Sequence, residues 1–211
     1  MASRSAKPPR TARAAWRHGV VDRTEGAIWD SHAFMAVGHD QAHRVPGPDR
    51  EGFPHGVFIV ALKDIAGSRG INRARHIGWR YLHGDAGHIL APVSRASEVM
   101  RGGPGGGHTF HGTNEGPFVA QTLEMLQKAA RMKKVRDGDF RPCLLRIPAL
   151  YVVAVWLISE DGPERDIIIP MDPCHRALKP GRAYSREQLH KRLQKPARES
   201  LEYHSRPQPE P

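Results

Sequence analysis

The sequence predicts an α+β fold: a small mixed or antiparallel sheet, including a C-terminal hairpin, packed against two helices, with a disordered basic N-terminal arm and a Pro-rich C-terminal tail. Three observations lead there. The most apolar stretch, Cys143 to Ser159 (CLLRIPALYVVAVWLIS), has no charged or amide side chain from Leu150 to Ile158. Its Val-rich, aromatic composition favours a strand, because branched and aromatic side chains fit a pleated surface and lose rotamer freedom on a helix. A second β-branched run, Ile167 to Ile169, follows the break Glu160-Asp161-Gly162-Pro163, so the two runs read as a hairpin. Two stretches then show helical periodicity, one from Pro117 to about Arg136 and one beginning near Ser185.

The elements follow in order. Residues 1–17 read as a disordered arm, basic and rich in Ser, Ala and Pro. Residues 18–101 form an N-terminal α+β part. Within it, Asp30 to Val45 reads as a helix capped by Asp30 or Ser31, weakened by Gly38 and ended by Pro46-Gly47-Pro48. The continuous apolar run Gly56 to Leu62 reads as a central strand. His76 to Val93 alternates through Ile77, Trp79 and Tyr81 and reads as a second hairpin turning at Gly84-Asp85-Ala86-Gly87. Ser94 is placed to cap a short helix through Met100. Residues 102–116 form a Gly-rich loop, since Gly102 to Gly107 offers no side chain that packs.

Residues 117–203 form a helix-hairpin-helix part sharing the core. Pro117 suits a first helical turn, and Val119, Leu123, Leu126 and Ala130 fall on one face. Gly138 is a natural stop. In the last helix, Ser185 and Gln188 form a capping box, with Tyr184 and Leu189 as its staple and Pro196 as an expected break. Residues 204–211 are the tail.

The chain has 211 residues, 32 Lys and Arg against 22 Asp and Glu, and a formal charge of +10. Half of that excess lies in the arm, where Arg4, Lys7, Arg10, Arg13 and Arg17 meet no acid. A basic surface suits anionic partners; the predominance of Arg over Lys, with abundant Ala, Gly and Pro, favours coding bias as the source of the charge. A hydrophobic fraction of 39% with 18 Pro and 21 Gly implies a real core surrounded by irregular segments. Two cysteines, Cys143 and Cys174, are too few for a disulfide scaffold and point to a reducing, cytoplasmic setting. No apolar run reaches the roughly 18 residues that span a bilayer.

Candidate chemistry starts with the 13 histidines. On a helix, His32, His39 and His43 would share one stripe, and His39-Asp40-Gln41-Ala42-His43 has the spacing of a zinc pair, with Asp where such motifs carry Glu. Chance placement of 13 His in 211 positions gives 13 × 12/211, about 0.7, pairs at that spacing, so one pair is expected by accident. The doublet His39-Asp40 also resembles the metal-binding dyad of HD-type phosphohydrolases, a reading that needs a further His upstream, where His18 stands, and an Asp far downstream.

His108, His111, Thr113 and Asn114 lie between the glycine loop and the long helix. A glycine-rich loop feeding a helix N-terminus is a recipe for anion binding, although the Walker signature is missing here. Lys128, Arg131, Lys133 and Lys134 crowd the second half of that helix and, with Arg10, Arg13 and Arg17 of the arm, could follow a phosphate backbone.

Three function classes remain. First is a non-catalytic binding or interaction module, with a protein as the expected partner. Second is a nucleic-acid-associated protein using the arm and the basic helix face. Third is a metal-dependent hydrolase, with zinc as the candidate ion, using His39 and His43 with His32 or a distant ligand.

Overall fold

The computed structural model describes residues 8–9, 11–12, 53–84, 93–101 and 107–205. Its centre is a seven-stranded mixed sheet packed with helices. The strands are β1 (Phe53–Ile59), β2 (Arg75–Gly84), β3 (Val93–Arg101), β4 (His108–Glu115), β5 (Phe140–Ile147), β6 (Val152–Ser159) and β7 (Ile167–Pro170). Their spatial order is β4-β3-β2-β1-β5-β6-β7. All neighbours are antiparallel except β1 and β5, which run parallel with Gly56 opposite Cys143. Among the described residues, helices α1 (Leu62–Ala66), α2 (Pro117–Ala130), the single turn α3 (Lys133–Arg136) and α4 (Arg186–Ser205) accompany the sheet. A parallel pair needs a long crossover, and α2 lies within the one that leaves β4 for β5.

Burial of both sheet faces explains the unbroken apolar runs. Leu144, Val155, Leu157, Ile167 and Ile169 pack with Val57, Met125 and Ala129 on the α2 side. The alternate residues, Cys143, Leu145, Ile147, Ala154, Trp156 and Ile168, pack with Ile65, Leu189, Leu193 and Ala197 on the side of α1 and α4. Strands covered twice lose the polar alternation of a half-exposed sheet. Each fully buried aliphatic side chain here contributes about 1.5–3 kcal/mol.

Several elements differ from the sequence reading. Ser94 to Met100, expected as a short helix, belongs to β3, where β2 and β4 pair with it on both sides. His108 to Asn114, expected within a loop, is the edge strand β4. The stretch Cys143 to Ser159 is two strands, parted by a 3-10 turn at Pro148–Leu150 and by Tyr151 in the left-handed region at φ 52°. The long helix ends at Ala130, and Met132 is extended before α3 begins.

Helix α4 runs unbroken through Pro196. Bonds on both sides of the proline account for this. Before it, His190 Nε2 lies 2.9 Å from the Gly67 carbonyl and Gln194 donates to the same oxygen; after it, Arg198 donates to the Ala66 carbonyl. These contacts also satisfy carbonyls at the end of α1 that the short helix leaves open. The Ser185 hydroxyl accepts from the Gln188 amide, and Gln188 Oε1 accepts from the Ser185 amide. Of the arm, Ala12 is buried against Trp79, Tyr81 and Val99 on the sheet.

Candidate functional site

Three polar clusters stand out among the described residues, and their wiring separates structural groups from available ones. The first lies beneath α2. Glu98 on β3 is buried and takes a bidentate ion pair from Arg146 on β5, with Arg146 Nη1 at 3.1 Å and Nη2 closer still. Arg80 on β2, also buried, sits with Nε 3.5 Å from the same carboxylate and donates from Nη1 to the Thr122 hydroxyl at 3.1 Å. Thr122 in turn donates to the Phe118 carbonyl. Desolvation lowers the Arg80 pKa to about 10, opposed by Glu98, and the guanidinium stays charged at neutral pH. One carboxylate thus answers two guanidiniums, tying β2, β3, β5 and α2 together. A buried carboxylate paired with two guanidiniums suits a structural ion network, although Arg80 Nε lies too far for a hydrogen bond to it.

The second cluster centres on Asp166, just before β7. Its carboxylate accepts from Trp156 Nε1 at 2.6 Å, from the Ser159 amide at 2.9 Å and from Arg186 Nε at 2.6 Å. Arg186 also donates to Asn72 and lies over the Trp156 ring, 4.9 Å from its centroid. This buried carboxylate fastens the first turn of α4 to the sheet and is engaged by three internal donors.

The third cluster is different. It lies on the sheet face opposite α2, over β1 to β5. Arg101 and His108 are paired neighbours on β3 and β4. His76 on β2 stands opposite Phe58, its ring centroid 5.0 Å from Phe58 and 5.2 Å from Trp79. Gly56 permits this position: a Cβ there would lie 3.3 Å from the imidazole. Burial lowers the His76 pKa, and Arg101, His108 and Arg141 lower it further. Burial, then Arg101, lowers that of His108. Among the described residues no carboxylate acts on either imidazole. Two buried donors here, Trp79 Nε1 and Arg141 Nε, have no hydrogen-bond partner. A buried donor without a partner forfeits about 1–3 kcal/mol of solvation, so such groups call for an explanation.

The two thiols are poor nucleophile candidates. Burial pushes the Cys143 thiol up to about 12, and burial with Asp172 raises that of Cys174. Both stay protonated at neutral pH, and protonated thiols are weak nucleophiles.

The sequence-predicted residues scatter. His108 belongs to the cationic face, where its Nδ1 is 3.0 Å from the Thr11 hydroxyl. His111 is exposed at a bulge, unmatched between Phe110, opposite Val99, and Gly112, opposite Glu98. Thr113 lies opposite Ser97, and Asn114 lies opposite Ala96, on the α2 side and away from His108. The four therefore do not form one site.

Lys128 donates to the Gly181 carbonyl at 2.7 Å. Arg131, Lys133 and Lys134 are exposed around the junction of α2 and α3, joined by Arg136. His32, His39, His43, Arg10, Arg13 and Arg17 lie outside the described residues. Among the described ones, no group of three or more His, Cys, Asp or Glu is placed to hold a metal ion. No described helix is long and apolar enough to cross a membrane.

Sequence reasoning missed His76, Arg101 and Arg141 because strand order, not spacing, brings them near one another. The one available signal was that Arg101 and His108 flank the glycine loop. Comparison of the chain with protein-family models, with curated proteins and with solved structures finds no match.

Proposed function

We propose that this protein is a non-catalytic binding module that recognises an anionic group through the sheet face carrying Arg101, His108, His76 and Arg141. The observation that carries the reading is the contrast among the three polar clusters. Glu98 and Asp166 are each charge-paired within the protein, with Arg80 Nε the one donor of the first network left without a hydrogen bond, whereas the cationic face sets Arg101 and Arg141 around the same imidazole and leaves Trp79 Nε1 and Arg141 Nε without partners. Like charges brought together raise the energy of the free protein, and an anion relieves that repulsion. The described thiols lack the lowered pKa of a catalytic nucleophile, which favours binding over chemistry. The two unpaired thiols also fit a reducing, cytoplasmic setting.

A second reading has its own observation. Exposed Arg131, Lys133, Lys134 and Arg136 form a basic patch at the α2–α3 junction, suited to a nucleic-acid backbone. Thermal unfolding of the full chain in a series of anions, at fixed ionic strength against chloride, tests the first reading. Specific binding raises the midpoint progressively with anion concentration, and Arg101→Ala removes the rise. A midpoint that follows ionic strength alone would argue against a built site. A rise with oligonucleotide that disappears on neutralising Arg131, Lys133, Lys134 and Arg136 would favour the second reading.

A further inference from the structure

We infer that the group bound on the cationic face is a phosphate monoester, held by Arg101, His108 and Arg141 over His76, beside the part of the face where Ala12 packs against Trp79. The inference rests on the anion-binding reading above and adds the chemistry of the ligand. The donors come from four strands: Trp79 and His76 from β2, Arg101 from β3, His108 from β4 and Arg141 from β5. Strands fix their side chains more rigidly than loops, which favours a preorganised site. Between β2 and β5, the missing side chain of Gly56 lets the His76 ring lie across β1.

Three features select a phosphate monoester. Arg101, His108 and Arg141 stand on three strands of one face, so more than two donor groups are at hand, which matches the three terminal oxygens of a tetrahedral group better than the two oxygens of a carboxylate. Two guanidiniums suit a dianion better than the single charge of a phosphodiester, the imidazoles with their lowered pKa values adding neutral N–H donors, and guanidinium pairs with phosphate oxygens in a fork geometry.

The buried donors give an independent pointer. Trp79 is more than nine-tenths buried, yet its indole N–H has no partner; Arg141 is only half-buried, but its Nε atom is covered and likewise has none. Trp79 meets His76 edge to face, so its donor belongs to the same neighbourhood as the charges. An oxyanion accepts from both kinds of donor, whereas a metal ion or an apolar ligand accepts from neither.

The test is calorimetric titration of the full chain with phenyl phosphate, acetate, a dinucleotide diester and a phosphoserine peptide. Phenyl phosphate should bind more tightly than acetate or the dinucleotide. Arg101→Ala and His108→Ala should each weaken it about tenfold, consistent with loss of one charge-assisted bond, with an unchanged circular dichroism spectrum. Arg141→Lys keeps the charge, which guards against a folding defect, but loses the fork and should weaken binding too. A phosphoserine peptide binding as tightly as phenyl phosphate, or more tightly, supports the inference and points to a phosphorylated protein as the source. Weaker peptide binding supports it and points to a free phosphorylated small molecule. Acetate or the diester binding as tightly as phenyl phosphate overturns the inference, while binding that still depends on Arg101 leaves the anion-binding module standing. No binding by any of the four overturns both.

Discussion

Glu98 links the two sides of the sheet, joining β2 and β3 to β5. Its carboxylate is the shared partner of Arg80 and Arg146, and Arg80 is almost wholly buried. Glu98→Ala leaves a buried guanidinium uncompensated, which costs about 3–5 kcal/mol. Urea denaturation of the variant reads this as a lowered midpoint, and a loss below about 1 kcal/mol would show the network to be incidental. The histidines set a second expectation at this scale. His76, His108 and His175 all have pKa values lowered from the ordinary 6.5, by burial first and by arginines second. Below pH 6.5 the unfolded chain takes up protons that the folded chain resists, so stability falls as pH falls through that window. Above 6.5 these three contribute no slope. Denaturation midpoints between pH 5 and pH 8 check the sign, and a phosphate ligand that favours the charged imidazoles should flatten the fall.

Elements were legible in the sequence where local preference and tertiary need agree. The Ser185–Gln188 box and the apolar strands around Val155 and Ile168 are of that kind. Elements were missed where a neighbouring strand decides the structure. Ser94 carries a helix-start signal, yet β2 and β4 pair with this segment on both sides and hold it extended. The glycine loop suggested that His108 to Asn114 was also loop, but the segment completes the β-meander as β4. On α2, Thr122 lies in the buried stripe because it answers Arg80, a reason that apolar periodicity does not contain. Pro196 illustrates the same rule in reverse. Three side-chain bonds to α1 hold α4 through a residue that weakens helices. Pro196→Ala should therefore stabilise the protein by about 1–2 kcal/mol, the helix gain exceeding the lost restriction of the unfolded chain. An unchanged or lowered thermal midpoint would show that the proline shapes α4 instead of straining it.

At the scale of the molecule, strand order makes the candidate site. β2, β3 and β4 extend one way from β1, and β5 begins the other half. Arg101 and Arg141, 40 positions apart in the chain, thereby act on one imidazole. That convergence was invisible before the topology was known, whereas the exposed basic patch of Arg131, Lys133 and Lys134 was readable from composition alone. The two surfaces make different demands on a ligand. The patch offers exposed charge to a polymer, and the sheet face offers buried donors and cations to a compact anion. Imidazole nitrogen resonances of the full chain, followed by NMR during a phenyl phosphate titration, separate the two most directly. The account predicts that His76 and His108 shift together and saturably, while the backbone amides of Arg131 to Arg136 stay in place. Movement of the α2–α3 junction with both imidazoles unmoved would contradict it.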